Sequence, residues 1–73
     1  MRQIEIFKTN VRRKTDAIRI VRKLSSIEPS YISNFDIEDC DCILRIESIE
    51  KKVNIHSVIK LLKGNNFNCE VHN

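Results

Sequence analysis

The residues best equipped for chemistry in this chain are the cysteines Cys40, Cys42 and Cys69, the histidines His56 and His72, and the acidic run Asp36, Glu38, Asp39 and Asp41. A Cys-x-Cys pair such as Cys40 and Cys42 can chelate a soft ion, because thiolates favour Cu(I) or Zn and two ligands so close in sequence need little ordering. The same pair can support thiol redox chemistry. The acidic run offers oxygen ligands to a hard cation. Each feature also has a plainer reading, in which Cys42 and Cys69 are small core residues, Cys40 is an exposed turn thiol, and the carboxylates and histidines are solvated.

Placing these groups requires the elements that carry them. Ile4 and Ile6 alternate with Glu5 and Phe7 between Gln3 and Thr9, a period of two that predicts a half-buried first strand. From about Arg12 the period lengthens. Ala17, Ile20, Val21 and Leu24 then form one apolar stripe on a helix whose other side carries Arg12, Arg19, Arg22 and Lys23, until Ser25, Ser26 and Pro29 stop it.

Two further strands follow, with Ser33, Phe35 and Ile37 alternating against polar neighbours and Cys42, Leu44 and Ile46 doing the same. Setting Ile37 opposite Leu44 and Phe35 opposite Ile46 brings the apolar residues to one face and leaves Cys40 and Asp41 in the turn. A looser loop over Asp39 to Cys42 serves the same register. Asn54 can cap a second helix with Ile55, Val58, Ile59 and Leu62 on one face, Gly64 is placed to end it, and Phe67 to Val71 reads as a last strand. With right-handed crossovers, the order βαββαβ gives an α+β, ferredoxin-like sandwich: an antiparallel sheet in the order 4-1-3-2, covered on one face by two helices.

In that arrangement Cys42 and Cys69 lie on strands separated by the first strand, hence about 10 Å apart. That spacing is too wide for a shared ion and exceeds the reach of a disulfide. His56 and His72 fall at the opposite end of the domain. No Ser/His or Cys/His pair is brought together and no Gly-rich phosphate loop occurs, so the chain is not expected to be an enzyme.

Along essentially its whole length the chain resembles the heavy-metal-associated domain family of copper-chaperone-like modules. The resemblance is carried by the element order, by the spacing from Val21 through Leu24 to Ile27, and by Val53-Asn54-Ile55 leading into the helix that ends before Asn66-Phe67. In that family a Met-x-Cys-x-x-Cys loop follows the first strand. Here Asn10 and Arg13 align with the two cysteines, and there is no cysteine between Lys8 and Asp16. The resemblance therefore implies the scaffold without the family's metal loop. No cofactor is expected, and Cys40 and Cys42 remain the candidates for an alternative soft-metal or redox role.

Composition fits one small domain. The chain has 73 residues, 41% hydrophobic and 32% charged, with one Gly and one Pro. No apolar run approaches the ~18–20 residues of a membrane span, and the start of the chain lacks the apolar stretch of a signal peptide. Together with an odd number of cysteines, this points to the cytoplasm and to reduced thiols. The net charge of +3 is unevenly spread, with seven basic residues against Asp16 between Lys8 and Lys23.

The surfaces then suggest partners. The uncovered sheet face, expected to show Glu5, Asp36, Glu47 and Glu70 with a single aromatic, Phe7, is ill suited to RNA. Phe7 and Ile43, on neighbouring strands, are expected to form a small apolar patch there that docks a protein partner or a second copy. Arg12, Arg19 and Arg22 on the first helix form a secondary candidate surface, limited to nonspecific contact with anions. The expectation is thus a non-enzymatic binding module with no specific nucleic acid and no membrane as partner.

Overall fold

The computed structural model describes residues 2–72. Six elements follow one another: β1 (Gln3–Thr9), α1 (Lys14–Ile27), β2 (Tyr31–Asp36), β3 (Ile43–Ser48), α2 (Ile55–Gly64) and β4 (Cys69–Val71). The strands form one antiparallel sheet in the order β2-β3-β1-β4. The result is a small α+β fold of four strands and two helices.

Both helices lie on the same side of the sheet. Ala17, Ile20 and Leu24 of α1 and Val58 and Leu62 of α2 share one core with Phe7, Leu44, Ile46, Tyr31 and Cys69. α1 packs along β2 and α2 along β4. The α1 stripe follows the helical period read from the sequence, with Ala17, Ile20 and Leu24 buried and Val21 half-buried. Its N-cap, Arg13, makes no side-chain capping bond, while Asp16 in the first turn suits the positive end of the helix. α2 is capped as its sequence suggests, since Asn54 Oδ1 accepts a hydrogen bond from Ser57 N at 3.0 Å. Tyr31 Oη fixes the same corner by accepting from Asn54 N at 2.8 Å.

Gly64 does not terminate α2. It is the last helical residue, and Asn66 takes the left-handed conformation beyond it, at φ 69. Asn66 N and Phe67 N then donate back to Lys63 O and Leu62 O, each at 3.0 Å. An asparagine replaces glycine here because its short polar side chain tolerates positive φ. The last strand is shorter than expected and begins at Cys69.

Two register details differ from the sequence reading. In the β2–β3 hairpin Phe35, not Ile37, lies opposite Leu44, and Ser33 lies opposite Ile46. A slip of two residues keeps every side chain on its face, so periodicity alone cannot detect it. The connecting loop is correspondingly longer, and Cys42 ends it at φ 45.

The second difference is larger. Phe7 lies directly opposite Leu44, and both are wholly buried on the helix-covered face. Phe7 is therefore a core residue and not part of an exposed patch, and Glu5, opposite Ile46, also turns to the covered face. The alternation of β1 has one phase that buries Phe7, Thr9 and Val11 and another that buries Ile4, Ile6 and Lys8. The second would bury two isoleucines but turn the Lys8 ammonium toward the helices and leave Phe7 and Val11 in solvent, whereas the observed phase buries Phe7 and Val11 wholly and leaves Lys8 exposed. Lys8 thus helps set the phase of the strand.

Candidate interaction surface

The loop between β2 and β3 is built around Asp39. Its side chain accepts from Asp41 N at 2.8 Å and its carbonyl accepts from Cys42 N at 2.9 Å. β1 ties the loop down through Thr9, whose N–H donates to Asp41 O at 3.1 Å and whose hydroxyl donates to Cys42 O at 2.6 Å. Thr9 Oγ1 also accepts from Val11 N at 3.2 Å. One buried hydroxyl therefore joins the end of β1 to the hairpin loop and to the chain leading into α1.

This loop splits the Cys-x-Cys pair. Cys40 is exposed and Cys42 is wholly buried. Asp39, Cys40 and Asp41 do bring ligand-type atoms within 4.8 Å of one another. However, Asp39 is engaged in the turn, and Asp41 faces Lys8 Nζ at 3.5 Å. Cys69 is buried beside Thr9 on β4, and burial pushes its thiol up to about 11, which keeps it protonated at neutral pH. All three cysteines are free thiols. His56 and His72 are both exposed.

The loop between β1 and α1, where the resembling family carries thiolates, performs a different task here. Asn10 Oδ1 accepts from Asn68 N at 2.8 Å, tying the loop to the approach to β4. Arg13 is exposed at the start of α1.

Of the candidate basic residues, Arg12, Arg19 and Arg22 are all exposed. Arg19 is held by Asp16 at 3.1 Å. Arg12 and Arg22 have no ion-pair partner among the described residues. No helix among those residues is long and apolar enough to cross a membrane.

The uncovered sheet face gathers apolar and charged side chains in regular rows. Turning Phe7 inward turns Ile4 and Ile6 outward, where they join Ile32 of β2 and Ile43 of β3. Ile4 is 42% exposed and Ile32 is 50% exposed, while Ile6 and Ile43 are half-buried. Ile43 is therefore on the open face as expected, with Lys8 and Asp36 beside it and Ile6 on the diagonal in place of Phe7. Charges of both signs are set among them. Glu47 lies between Ile32 and Ile4, Arg45 between Asn34 and Ile6, and Ile43 between Asp36 and Lys8. Glu47 pairs with Arg2 at 2.7 Å and with Arg45 at 3.6 Å. Ile4 and Ile6 were missed because turning Phe7 outward assigned them to the core, although the cost of burying Lys8 was visible in the sequence, and Ile32 was given no face.

Comparison with protein-family models, with curated proteins and with solved structures yields no match to this chain.

Proposed function

We propose that this chain is a small non-enzymatic binding module, a ferredoxin-like scaffold similar to the heavy-metal-associated domains but without their metal loop. It pairs with a second copy of itself through the uncovered sheet face. The observation that carries this reading is the set Ile4, Ile6, Ile32 and Ile43, interleaved with Lys8, Arg45, Asp36 and Glu47.

The choice of a second copy rests on charge. The outer side of α1 is strongly basic and repels another copy of itself, and the loop of Glu38, Asp39 and Asp41 is acidic and does the same. The sheet face mixes both signs and meets its own copy without net repulsion. Sheet-on-sheet packing at about 10 Å lets apolar side chains from two such faces interdigitate. A domain this small has much apolar surface still to bury, and the open face holds Ile4, Ile6, Ile32 and Ile43 among its charges.

Isoleucine methyl NMR provides a test with an internal control. On dilution the methyl signals of Ile4, Ile6, Ile32 and Ile43 should shift together, while those of Ile18 and Ile27, exposed on α1, stay fixed. Movement confined to Ile18 and Ile27 would transfer the contact to the helix layer.

A further inference from the structure

A second surface lies at the edge of the sheet. β2 is an edge strand, so alternate residues between Tyr31 and Asp36 turn their N–H and C=O groups away from β3. Natural edges are usually blunted by lysine, proline, a bulge or extreme shortness. The other edge, β4, has three residues. β2 has six, contains neither lysine nor proline, and pairs with β3 through six consecutive positions without interruption.

Beside this edge, between β2 and α1, runs an open groove of about 650 Å³. Its apolar lining includes Val21, Phe35 and Ile37; Lys14 and Arg22 border it on the helix side, and Asp36 and Glu38 line it at the end of β2 and just beyond. Neither cation has an ion-pair partner among the described residues. Ser33 also lines the groove. Its hydroxyl is buried and has no hydrogen-bond partner, whereas buried polar groups in folded proteins are normally paired. A strand edge open beyond Tyr31, whose N–H donates to Glu28 O at 3.1 Å, an apolar slot, an unpaired buried hydroxyl and two cations without ion-pair partners occupy one site.

We infer that this site binds an extended segment of another protein by strand addition to β2. Main-chain hydrogen bonds to the edge supply affinity, and the groove selects the side chains on one side of the added strand. The residue opposite Ser33 carries a carboxylate that accepts from the Ser33 hydroxyl and faces Arg22. The residue opposite Phe35, two positions away and therefore on the same side, is apolar and enters the slot. On the other side of the added strand, beside Asp36, polar or basic residues fit. A second copy is excluded as occupant by charge, because joining two β2 edges would set two basic α1 helices side by side. This site is separate from the sheet face proposed for self-pairing, and the two can succeed or fail independently.

The probe is a fluorescein-labelled peptide, Thr-Val-Lys-Glu-Lys-Val-Thr, which sets a valine two positions from the glutamate in either strand direction, with a scrambled peptide of the same composition as control. Anisotropy should show saturable binding of the first and not of the second, and amide signals of β2 should shift on titration. Ser33→Ala removes an unpaired buried hydroxyl, so this variant should unfold at or above the wild-type urea midpoint and yet bind the probe about tenfold more weakly. Arg22→Glu should weaken binding at least as much. Equal binding of both peptides, no saturation at millimolar probe, unchanged affinity in Ser33→Ala, or shifts confined to the open sheet face would each overturn the inference.

Discussion

Phe7 of β1 and Leu44 of β3 lie directly opposite one another, both wholly buried, at the junction between the central pair of strands and the helix layer. Their contact belongs to packing and not to recognition. Phe7→Ala should cost about 3–5 kcal/mol and Leu44→Ala about 2–5 kcal/mol in urea denaturation, with the double variant departing from additivity because the two share a cavity. Loss of the Phe7 side chain with no change in the midpoint would contradict the phase of β1 described here.

Thr9 makes a prediction about the hydroxyl that links β1 to the hairpin loop. Thr9→Val keeps the shape but leaves Cys42 O and Val11 N without the Oγ1 partner they have now. A loss of about 1–3 kcal/mol is expected in chemical denaturation. Thr9→Ser, which keeps the oxygen, should recover most of it.

The cysteines should differ in reactivity. Cys40 is exposed and should be alkylated rapidly by iodoacetamide under native conditions, whereas Cys42 and Cys69 should react only on unfolding. Mass spectrometry of the native protein should show a single modification, and a second adduct formed equally fast would contradict the burial of both core thiols.

Cys69 also predicts an alkaline dependence. Its thiol is held up to about 11 by burial, against an ordinary value of 9.0 in the unfolded chain. Between these values the unfolded chain binds fewer protons than the folded one, so stability falls as pH rises through that window. Below it the group contributes no dependence. Replacing Cys69 with Ala should flatten the decline measured by denaturation between those two pH values.

Much of this architecture was legible in the sequence because helices declare themselves through periodicity. Ala17, Ile20 and Leu24 mark α1, and Asn54 is both a recognisable N-cap and an observed one. The hairpin faces were legible too, but not the pairing, since moving Phe35 from Ile46 to Leu44 leaves every residue on the same side. The end of α2 was misread because Gly64 stood where a cap was wanted, while the left-handed position fell to Asn66.

The candidate surface was less legible. The first four residues of β1, Gln3-Ile4-Glu5-Ile6, favour the phase that would bury the isoleucines, and the groups that decide otherwise, Phe7, Lys8, Thr9 and Val11, lie toward its far end or beyond it. The groove beside β2 has no sequence signature at all, since it joins Val21 of α1 to Phe35 and Ile37 through tertiary packing.

Sedimentation equilibrium over a wide concentration range tests the central claim most directly. The wild-type chain should show a reversible monomer–dimer equilibrium, and both Ile4→Lys and Ile43→Lys should shift it to monomer. At concentrations where the wild type is monomeric, their urea midpoints should stay close to its own, since Ile4 is substantially exposed and neither residue belongs to the buried core. A wild-type chain that remains monomeric at millimolar concentration, or a dimer that survives both substitutions, would contradict the account.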